Sequence, residues 1–458
     1  MEDVEVKIIV IGCGKIGEEL AGVLSHEGND ITIIDKNEQV VQTVCDRYDV
    51  MGVVGNGASY PTQLEAEVGS ADLMIAVTGS DELNLLCCLI AKKAGNCSTI
   101  ARVRNPEYNT EVPFLKEELG LAMIINQEQT AASEIARILR VPSAIEVTTF
   151  ARGRVELLRL RIPEKSEVDG LSLVEMHHRL NANVLVCTVQ RDGQIVIPNG
   201  NYILRSGDDI SIVCEADAEK IFFRHIGIRQ QPVRRVMIIG GGDIAYYLAE
   251  ALSAYGMSVK IIEKKFERCE FLSEKMPRIT VIHGDGSSRE LLEEEDLGSC
   301  DAVVTLTGID EENVILSLYA KQSGVRKVIT KINHITFKEV IDSLNLDSTI
   351  EPRHLTAEYI LQYVRARRNA SGSNMETLHK IIDGRAEAIE FTIKDDFKRK
   401  NISLQALPIR KNVLIACITR DGKIIQPRGA DVLLPGDSVV VVTVDSQLDD
   451  IDDIFEDR

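Results

Sequence analysis

Five short motifs in this chain occur twice, four of them 229 residues apart and one 228, and that repetition limits what it can fold into. Gly12-Cys-Gly-Lys-Ile-Gly17 returns 228 residues later as Gly240-Gly-Gly-Asp-Ile-Ala245. Val53-Val-Gly-Asn-Gly57 returns as Ile282-His-Gly-Asp-Gly286, and Ala76-Val-Thr-Gly-Ser-Asp-Glu82 as Thr305-Leu-Thr-Gly-Ile-Asp-Glu311, each 229 residues on. The same 229 separates Val189-Gln-Arg-Asp-Gly193 from Ile418-Thr-Arg-Asp-Gly422, and Ser206-Gly-Asp-Asp209 from Pro435-Gly-Asp-Ser438. The chain has 458 residues, twice 229. Chance does not hold an interval to within one residue across five separated motifs, so the whole chain is a tandem duplication.

Each copy opens on short aliphatic runs alternating with helical stretches. Lys7–Ile11, Asp30–Asp35, Asp49–Val54, Asp72–Val77 and Ser98–Val103 read as strands, Glu18–His26 as a helix between the first two. Such alternation predicts a doubly wound parallel sheet. A longer helix is expected over Thr130–Arg140, and over Thr356–Arg368 in the second copy. From about Ser143 the pattern changes to β-branched strands parted by turns: Val155–Ile162, Val184–Gln190 and Ile210–Cys214. Asp192-Gly193 between two apolar runs is a hairpin signal. The expected architecture is α/β, two tandem Rossmann-like doubly wound sheets, each followed by a small α+β sub-domain. The expected bounds are 1–142, 143–230, 231–370 and 371–458, with Asn369-Ala-Ser-Gly-Ser-Asn374 as a linker and Gln230-Gln-Pro232 joining the copies.

Composition narrows the function classes. Hydrophobic residues at 44% and charged residues at 27% suit a globular chain; Trp is absent, so the cores must be aliphatic. A net charge of −19 repels nucleic-acid phosphates and anionic lipid alike. No apolar run approaches the ~18 residues a membrane span needs. Met1-Glu-Asp-Val-Glu5 is acidic where a signal peptide is basic, so a cytosolic protein is expected. The ten cysteines form no Cys-x-x-Cys pair, and Cys13, Cys87, Cys88, Cys187 and Cys214 sit in apolar runs as small hydrophobes. The eight histidines show no zinc spacing; His177-His178 reads as a helix surface.

The glycine motif has the context that gives it meaning. Gly12 ends a strand and allows a tight turn, Gly14 admits a pyrophosphate to the backbone, and Gly17 brings helix and sheet together. Phosphates would meet the free N–H groups of the following helix. Asp35, 23 positions after Gly12, is placed to accept from the adenosine ribose hydroxyls, favouring NAD(H) over NADP(H). The second copy keeps Gly240, Gly242 and Glu263 at the same spacing, with Ala245 for the third glycine. Ligands in such folds lie beyond the carboxyl ends of the strands. That adds Gly55-Asn56-Gly57, Thr78-Gly79 and Arg102, and in the second copy Gly284-Asp285-Gly286, Thr307-Gly308 and Lys331. Arg102 is either a cation for the pyrophosphate or a surface charge at a strand end.

The Rossmann units, with Gly-Asn-Gly57 or Gly-Asp-Gly286 and then Val77–Asn84 or Leu306–Asn313, resemble RCK/KTN domains, which regulate potassium conductance. The small domains, with their Arg-Asp-Gly turns, resemble the C-terminal sub-domains of that family. Two such units in one chain resemble the peripheral regulatory subunits of Trk-type potassium-uptake systems. The resemblance implies a homotetrameric cytosolic ring beneath an integral membrane potassium-translocating subunit, with NAD(H), and in related systems ATP or ADP, in the clefts. It implies ligand contacts at Gly12, Cys13, Gly14, Lys15, Ile16, Gly17, Asp35, Asn56, Thr78, Gly79 and Arg102. In the second copy the contacts are Gly240, Gly241, Gly242, Asp243, Ile244, Glu263, Asp285, Thr307, Gly308 and Lys331. Asn56 against Asp285, and Ala245 for a glycine, mean that the two sites need not share a ligand.

Three other readings compete. An NAD-dependent oxidoreductase needs a general acid or base beside the nicotinamide, and the small domains offer no His or Lys constellation for it. Their Asp169-Gly170 and Asp192-Gly193 read as turns. A transcription regulator needs a basic helix-turn-helix, which is missing. A regulator of another transporter, such as an efflux antiporter, stays open, because partner choice lies in surface residues.

Overall fold

The computed structural model describes residues 6–95, 97–105, 108, 112–142, 144–151, 154–180, 184–214, 222–227, 232–333, 341, 344, 346–370, 374–382, 384–444, 448 and 450–456. Strands β1 (Lys7–Ile11), β2 (Asp30–Asp35), β3 (Met51–Val54), β4 (Leu73–Ala76), β5 (Ser98–Arg102) and β6 (Met123–Ile125) form a parallel sheet in the order β3-β2-β1-β4-β5-β6. That order reverses direction between β1 and β4, which opens a crevice at their carboxyl ends. Register brings those ends level: Ile11 pairs with Ile34 and with Ala76, and Ala76 with Ala101. The strands are aliphatic because both faces are covered; Val10, Ile33, Leu73 and Ile75 are fully buried. Helix Lys15–His26 lays Ile16, Leu20, Ala21 and Leu24 on the sheet, a spacing that keeps one face inward.

The first small domain is an antiparallel sheet of β7 (Glu146–Phe150), β8 (Val155–Arg161), β9 (Val184–Arg191), β10 (Gln194–Val196) and β11 (Asp209–Cys214), ordered β10-β9-β11-β8-β7. β9 and β10 are joined by Asp192 and Gly193, both at positive φ (49° and 77°), as a two-residue hairpin requires. Helix Leu173–Leu180, which carries His177 and His178, packs Met176 and Leu180 inward.

The second copy repeats this plan. β12 (Arg235–Ile239), β13 (Ser258–Glu263), β14 (Thr280–His283), β15 (Ala302–Thr305), β16 (Lys327–Lys331) and β17 (Ser348–Ile350) form a sheet ordered β14-β13-β12-β15-β16-β17. β18 (Met375–Ile381), β19 (Ala386–Thr392), β20 (Val413–Arg420), β21 (Lys423–Ile425) and β22 (Ser438–Thr443) follow, ordered β18-β19-β22-β20-β21.

Like pairs with like. One compact unit joins Met1–Ala136 to Arg234–Leu361, the two Rossmann domains; the other joins Arg137–Val233 to Gln362–Arg458, the two small domains. In the first unit, the Tyr247 hydroxyl donates to the Arg104 carbonyl (3.0 Å) and accepts from Asn126 Nδ2 (2.9 Å). In the second, a single apolar cluster holds Phe150, Leu157 and Cys187 from one copy with Ile381, Ala388 and Val440 from the other. Arg385 Nη1 donates to the Gly193 carbonyl (2.9 Å), and the Ala151 N–H to Glu390 Oε2 (3.2 Å), so the small domains pack on each other.

Element bounds shift by a few residues from the sequence reading, and some details differ further. β6 and β7 were not expected. Helix Gln127–Arg140 begins three residues early. Helix Pro352–Ala370 runs through Asn369 and Ala370, so the composition-based linker begins two residues too soon; its residues 371–373 lie outside the described residues, as do residues 230 and 231 of the join and the acidic residues 1–5. No helix among the described residues is long and apolar enough to cross a membrane.

Candidate functional site

The crevice is built from backbone outward. Gly12 has φ +94°, and a Cβ there would lie 2.9 Å from the backbone of Thr78, so only glycine lets the β1 and β4 loops approach. A Cβ on Gly17 would lie 1.9 Å from the Gly12 carbonyl oxygen. Around Gly14 and Gly79, by contrast, nothing lies within 4 Å of a Cβ. Gly14 is the N-cap of Lys15–His26 and makes no side-chain cap bond to the first N–H groups of that helix. An anion is the natural partner for such donors. The pattern recurs at Gly242 and Gly308, which are equally open, with Gly242 an N-cap lacking a side-chain bond.

Asp35 holds this loop together. Its Oδ2 accepts the Cys13 N–H (2.8 Å) and its Oδ1 the Asn37 N–H (2.9 Å). Glu263 does the same, accepting from Gly241 N and Lys265 N, both at 2.7 Å. The acids expected to meet a ribose therefore stand at the crevice already tied to the glycine loops, with acceptor capacity to spare. Cys13 is buried, and burial first, then the Asp35 carboxylate, push its thiol up to about 12, so it packs rather than reacts. Ile16 is buried, Lys15 exposed and Ile244 half-buried.

Arg102 is neither a surface charge nor aimed freely into the opening. Its side chain is 11% exposed, its guanidinium pairs with Glu128 at 3.5 Å, and burial lowers its pKa. Lys331 is buried as well; its ammonium donates to the Leu306 carbonyl (3.4 Å), and burial lowers its pKa too. Asn56 caps its own turn, accepting the Ala58 N–H (3.1 Å). Asp285 instead takes Lys264 Nζ (2.6 Å) and the Ser287 hydroxyl (2.7 Å), and those bonds, Lys264 first, hold its carboxyl far below the usual range.

Two buried residues that sequence reasoning gave no role position the crevice floor. Asn84 Oδ1 accepts from the Thr78 N–H (2.7 Å) and hydroxyl (2.7 Å), while its Nδ2 donates to the Arg102 carbonyl (2.9 Å). Asn313 ties Thr307 N (2.8 Å) to the Lys331 carbonyl (3.0 Å) in the same way. Asp81 accepts the N–H groups of Arg104 (2.8 Å) and Asn105 (2.9 Å). The repeated Thr-Gly-x-Asp-Glu-x-Asn motif is thus a clamp between the fourth-strand and fifth-strand loops, a role its recurrence could have signalled. Arg104, whose Nη2 donates to the Gly79 carbonyl (2.6 Å), and Arg268, over the second glycine loop, were also missed.

Comparison with known proteins agrees with this architecture. The TrkA-N domain family matches residues 8–127 and 236–352, and the TrkA-C domain family residues 157–227 and 388–456. The Trk system potassium uptake protein TrkA homolog of Archaeoglobus fulgidus is 35% identical, covering 98% of this chain and 100% of that protein. TrkA of Haemophilus influenzae is 31% identical, covering 98% of each. Among solved structures, the GsuK RCK domain superimposes with a TM-score of 0.62 at 15% identity, covering 96% of this chain and 93% of that one. The GsuK channel bound to NAD gives 0.63 at 14% identity, covering 97% and 77%.

Proposed function

This chain belongs to the TrkA family of Trk-system potassium-uptake proteins, and on that premise we propose that it is a regulatory subunit whose nucleotide-binding clefts gate potassium entry without consuming the ligand. The observation that carries this reading is the pair of uncapped helix N-termini beside open glycines at the sheet's switch point. Support for the ligand class comes from GsuK, which shares the fold and is bound to NAD in one structure and to ADP in another. NAD(H) suits the first cleft, with ATP or ADP the second class of ligand.

In this reading Gly12, Cys13, Gly14, Lys15, Ile16 and Gly17 receive the pyrophosphate, and Asp35 accepts from the adenosine ribose hydroxyls. Asn56, Thr78 and Gly79 line the far side, and Arg102 supplies charge by leaving Glu128. Gly240, Gly241, Gly242, Asp243, Ile244, Glu263, Asp285, Thr307, Gly308 and Lys331 take the corresponding places in the second cleft. The functional divisions are 1–142, 143–230, 231–370 and 371–458. The carboxylates beside the two glycine loops, Asp35 and Glu263, are bonded to backbone N–H groups of those loops, so in this reading they hold the loops and the ribose, and ligand binding itself carries the signal. A ligand shifts a conformational equilibrium by its differential affinity for the two states. The partner is an integral membrane potassium-translocating subunit; the chain is a homotetramer held at the cytoplasmic face by that partner and binds no nucleic acid.

Calorimetry tests the ligand. Wild type should bind NADH in preference to NADPH, and Asp35→Arg should weaken NADH and favour NADPH. No NADH heat at millimolar ligand would overturn the reading.

A further inference from the structure

The residue that follows the glycine loop has opposite charge in the two clefts. Where the first glycine loop is followed by Lys15, the second is followed by Asp243, the first residue of helix Asp243–Ala254. Where the first copy has Val40, the second has Arg268, on helix Phe266–Lys275. These two substitutions meet in space. Arg268 Nε donates to the Gly241 carbonyl (2.7 Å), and its Nη2 donates to Asp243 Oδ1 (2.9 Å). The guanidinium also lies 4.7 Å above the Phe271 ring.

We propose that Arg268 is a phosphate-binding residue of the second cleft and that the Asp243 carboxylate holds its place until a nucleotide arrives. This rests on the nucleotide reading above. Carboxylate and phosphate compete for the same guanidinium fork. The arginine is the anchored partner, fixed by the Gly241 carbonyl and the Phe271 ring and 24% exposed, whereas the Asp243 side chain is 47% exposed and held by Arg268. A phosphate at the N-terminus of Asp243–Ala254 would meet the Asp243 backbone N–H and stand beside its carboxylate, and repulsion turns that carboxylate outward. Arg268 then keeps its anchors and exchanges one anion for the other. The first cleft has no competing carboxylate at this position, so it fills at lower ligand concentration. The second responds only to a nucleotide whose phosphates displace Asp243.

The test uses the full chain with the first cleft blocked by Gly14→Asp, titrated with NADH and with ADP by calorimetry. Asp243→Asn should tighten binding at the second cleft roughly 3- to 10-fold by removing the competing anion. Arg268→Gln should weaken it at least about tenfold, the loss of a charge-assisted bond, and the double variant should behave like Arg268→Gln alone. The opposite signs matter, because a pair that merely braced the loop would move affinity in the same direction in both variants. Second-cleft affinity unchanged or weakened by Asp243→Asn overturns this proposal while leaving the nucleotide reading in place. Wild type that binds neither ligand at either cleft overturns both.

Discussion

Arg191 grips Asp208 through two parallel hydrogen bonds, Nε to Oδ1 at 2.7 Å and Nη2 to Oδ2 at 2.8 Å. In the second copy Arg420 grips Asp437 at the same 2.7 and 2.8 Å. Both carboxylates are 1% exposed, and each arginine also donates to a nearby carbonyl, Ile203 (2.9 Å) or Val432 (2.8 Å). The Arg-Asp-Gly turn and the Gly-Asp before the last strand, separate motifs in the sequence, are the two ends of one clamp.

Breaking that clamp from the arginine side leaves a buried carboxylate without its charge partner. Arg191→Ala should cost about 3 kcal/mol, and Arg191→Lys should recover only part, because a lysine cannot make the forked contact. Urea unfolding followed by circular dichroism measures both. A loss below about 1 kcal/mol would mean that the pair behaves as an exposed one.

Gly17 and Ala245 occupy equivalent places with opposite tolerances. A Cβ at Gly17 would meet the Gly12 carbonyl at 1.9 Å, whereas Ala245 is already fully buried in its own site. Gly17→Ala should therefore displace the first glycine loop, costing about 1–3 kcal/mol and weakening NADH binding. Ala245→Gly should cost only about 1 kcal/mol through helix propensity. Equal stability losses in the two variants would contradict this.

Acid should loosen the paired small domains through His379. The ring packs edge-on against Phe150, centroids 5.0 Å apart, with Gln362 Nε2 2.9 Å from Nδ1. Burial, then the Arg137 guanidinium, presses its pKa from 6.5 down to about 4. The unfolded chain thus binds a proton below pH ~6.5 that the native chain refuses. Stability is lost as pH falls from about 6.5 towards 4, by at most ~3 kcal/mol. Urea midpoints between about pH 7 and 5 should fall more steeply for wild type than for His379→Gln. Parallel curves would assign the acid sensitivity to other groups.

Potassium flux in reconstituted vesicles should respond to nucleotide with no nucleotide turned over. A carboxylate placed at both open glycines, Gly14→Asp with Gly242→Asp, should abolish that response while partner binding persists. Coupling of this kind is typically about 1–3 kcal/mol, or roughly 5- to 150-fold. A full response in the double variant would place the signal's entry elsewhere.

The parts legible in sequence were those written in local chemistry. The strand–glycine–helix unit from Lys7 to Asp35 shows because each glycine and the acid occupy a fixed spacing, and Asp192-Gly193 shows because only certain residues accept positive φ. β6 escaped because three residues, Met123–Ile125, make too short a run to register. The linker was misplaced because serine and glycine mark a break without fixing where the preceding helix stops. Arg268 was invisible for another reason. Its meaning lies in Asp243, 25 residues away, and only the rotation of its helix brings the two together.

Each copy gives its Rossmann domain to one compact unit and its small domain to the other, so the two copies grip each other twice. A cut between them would not release two independent fragments. Each fragment would present one bare Rossmann face, around Tyr247 or Asn126, and one bare sheet face, around Phe150 or Ala388, both made to be covered by the other. Two separately expressed halves should be insoluble or self-paired when alone and should recombine when made together. In the intact chain dilution cannot separate the partners, because the tether keeps each at a high effective concentration for the other. Neither copy must then recognise an identical twin, which leaves Lys15 and Asp243 free to diverge within one molecule.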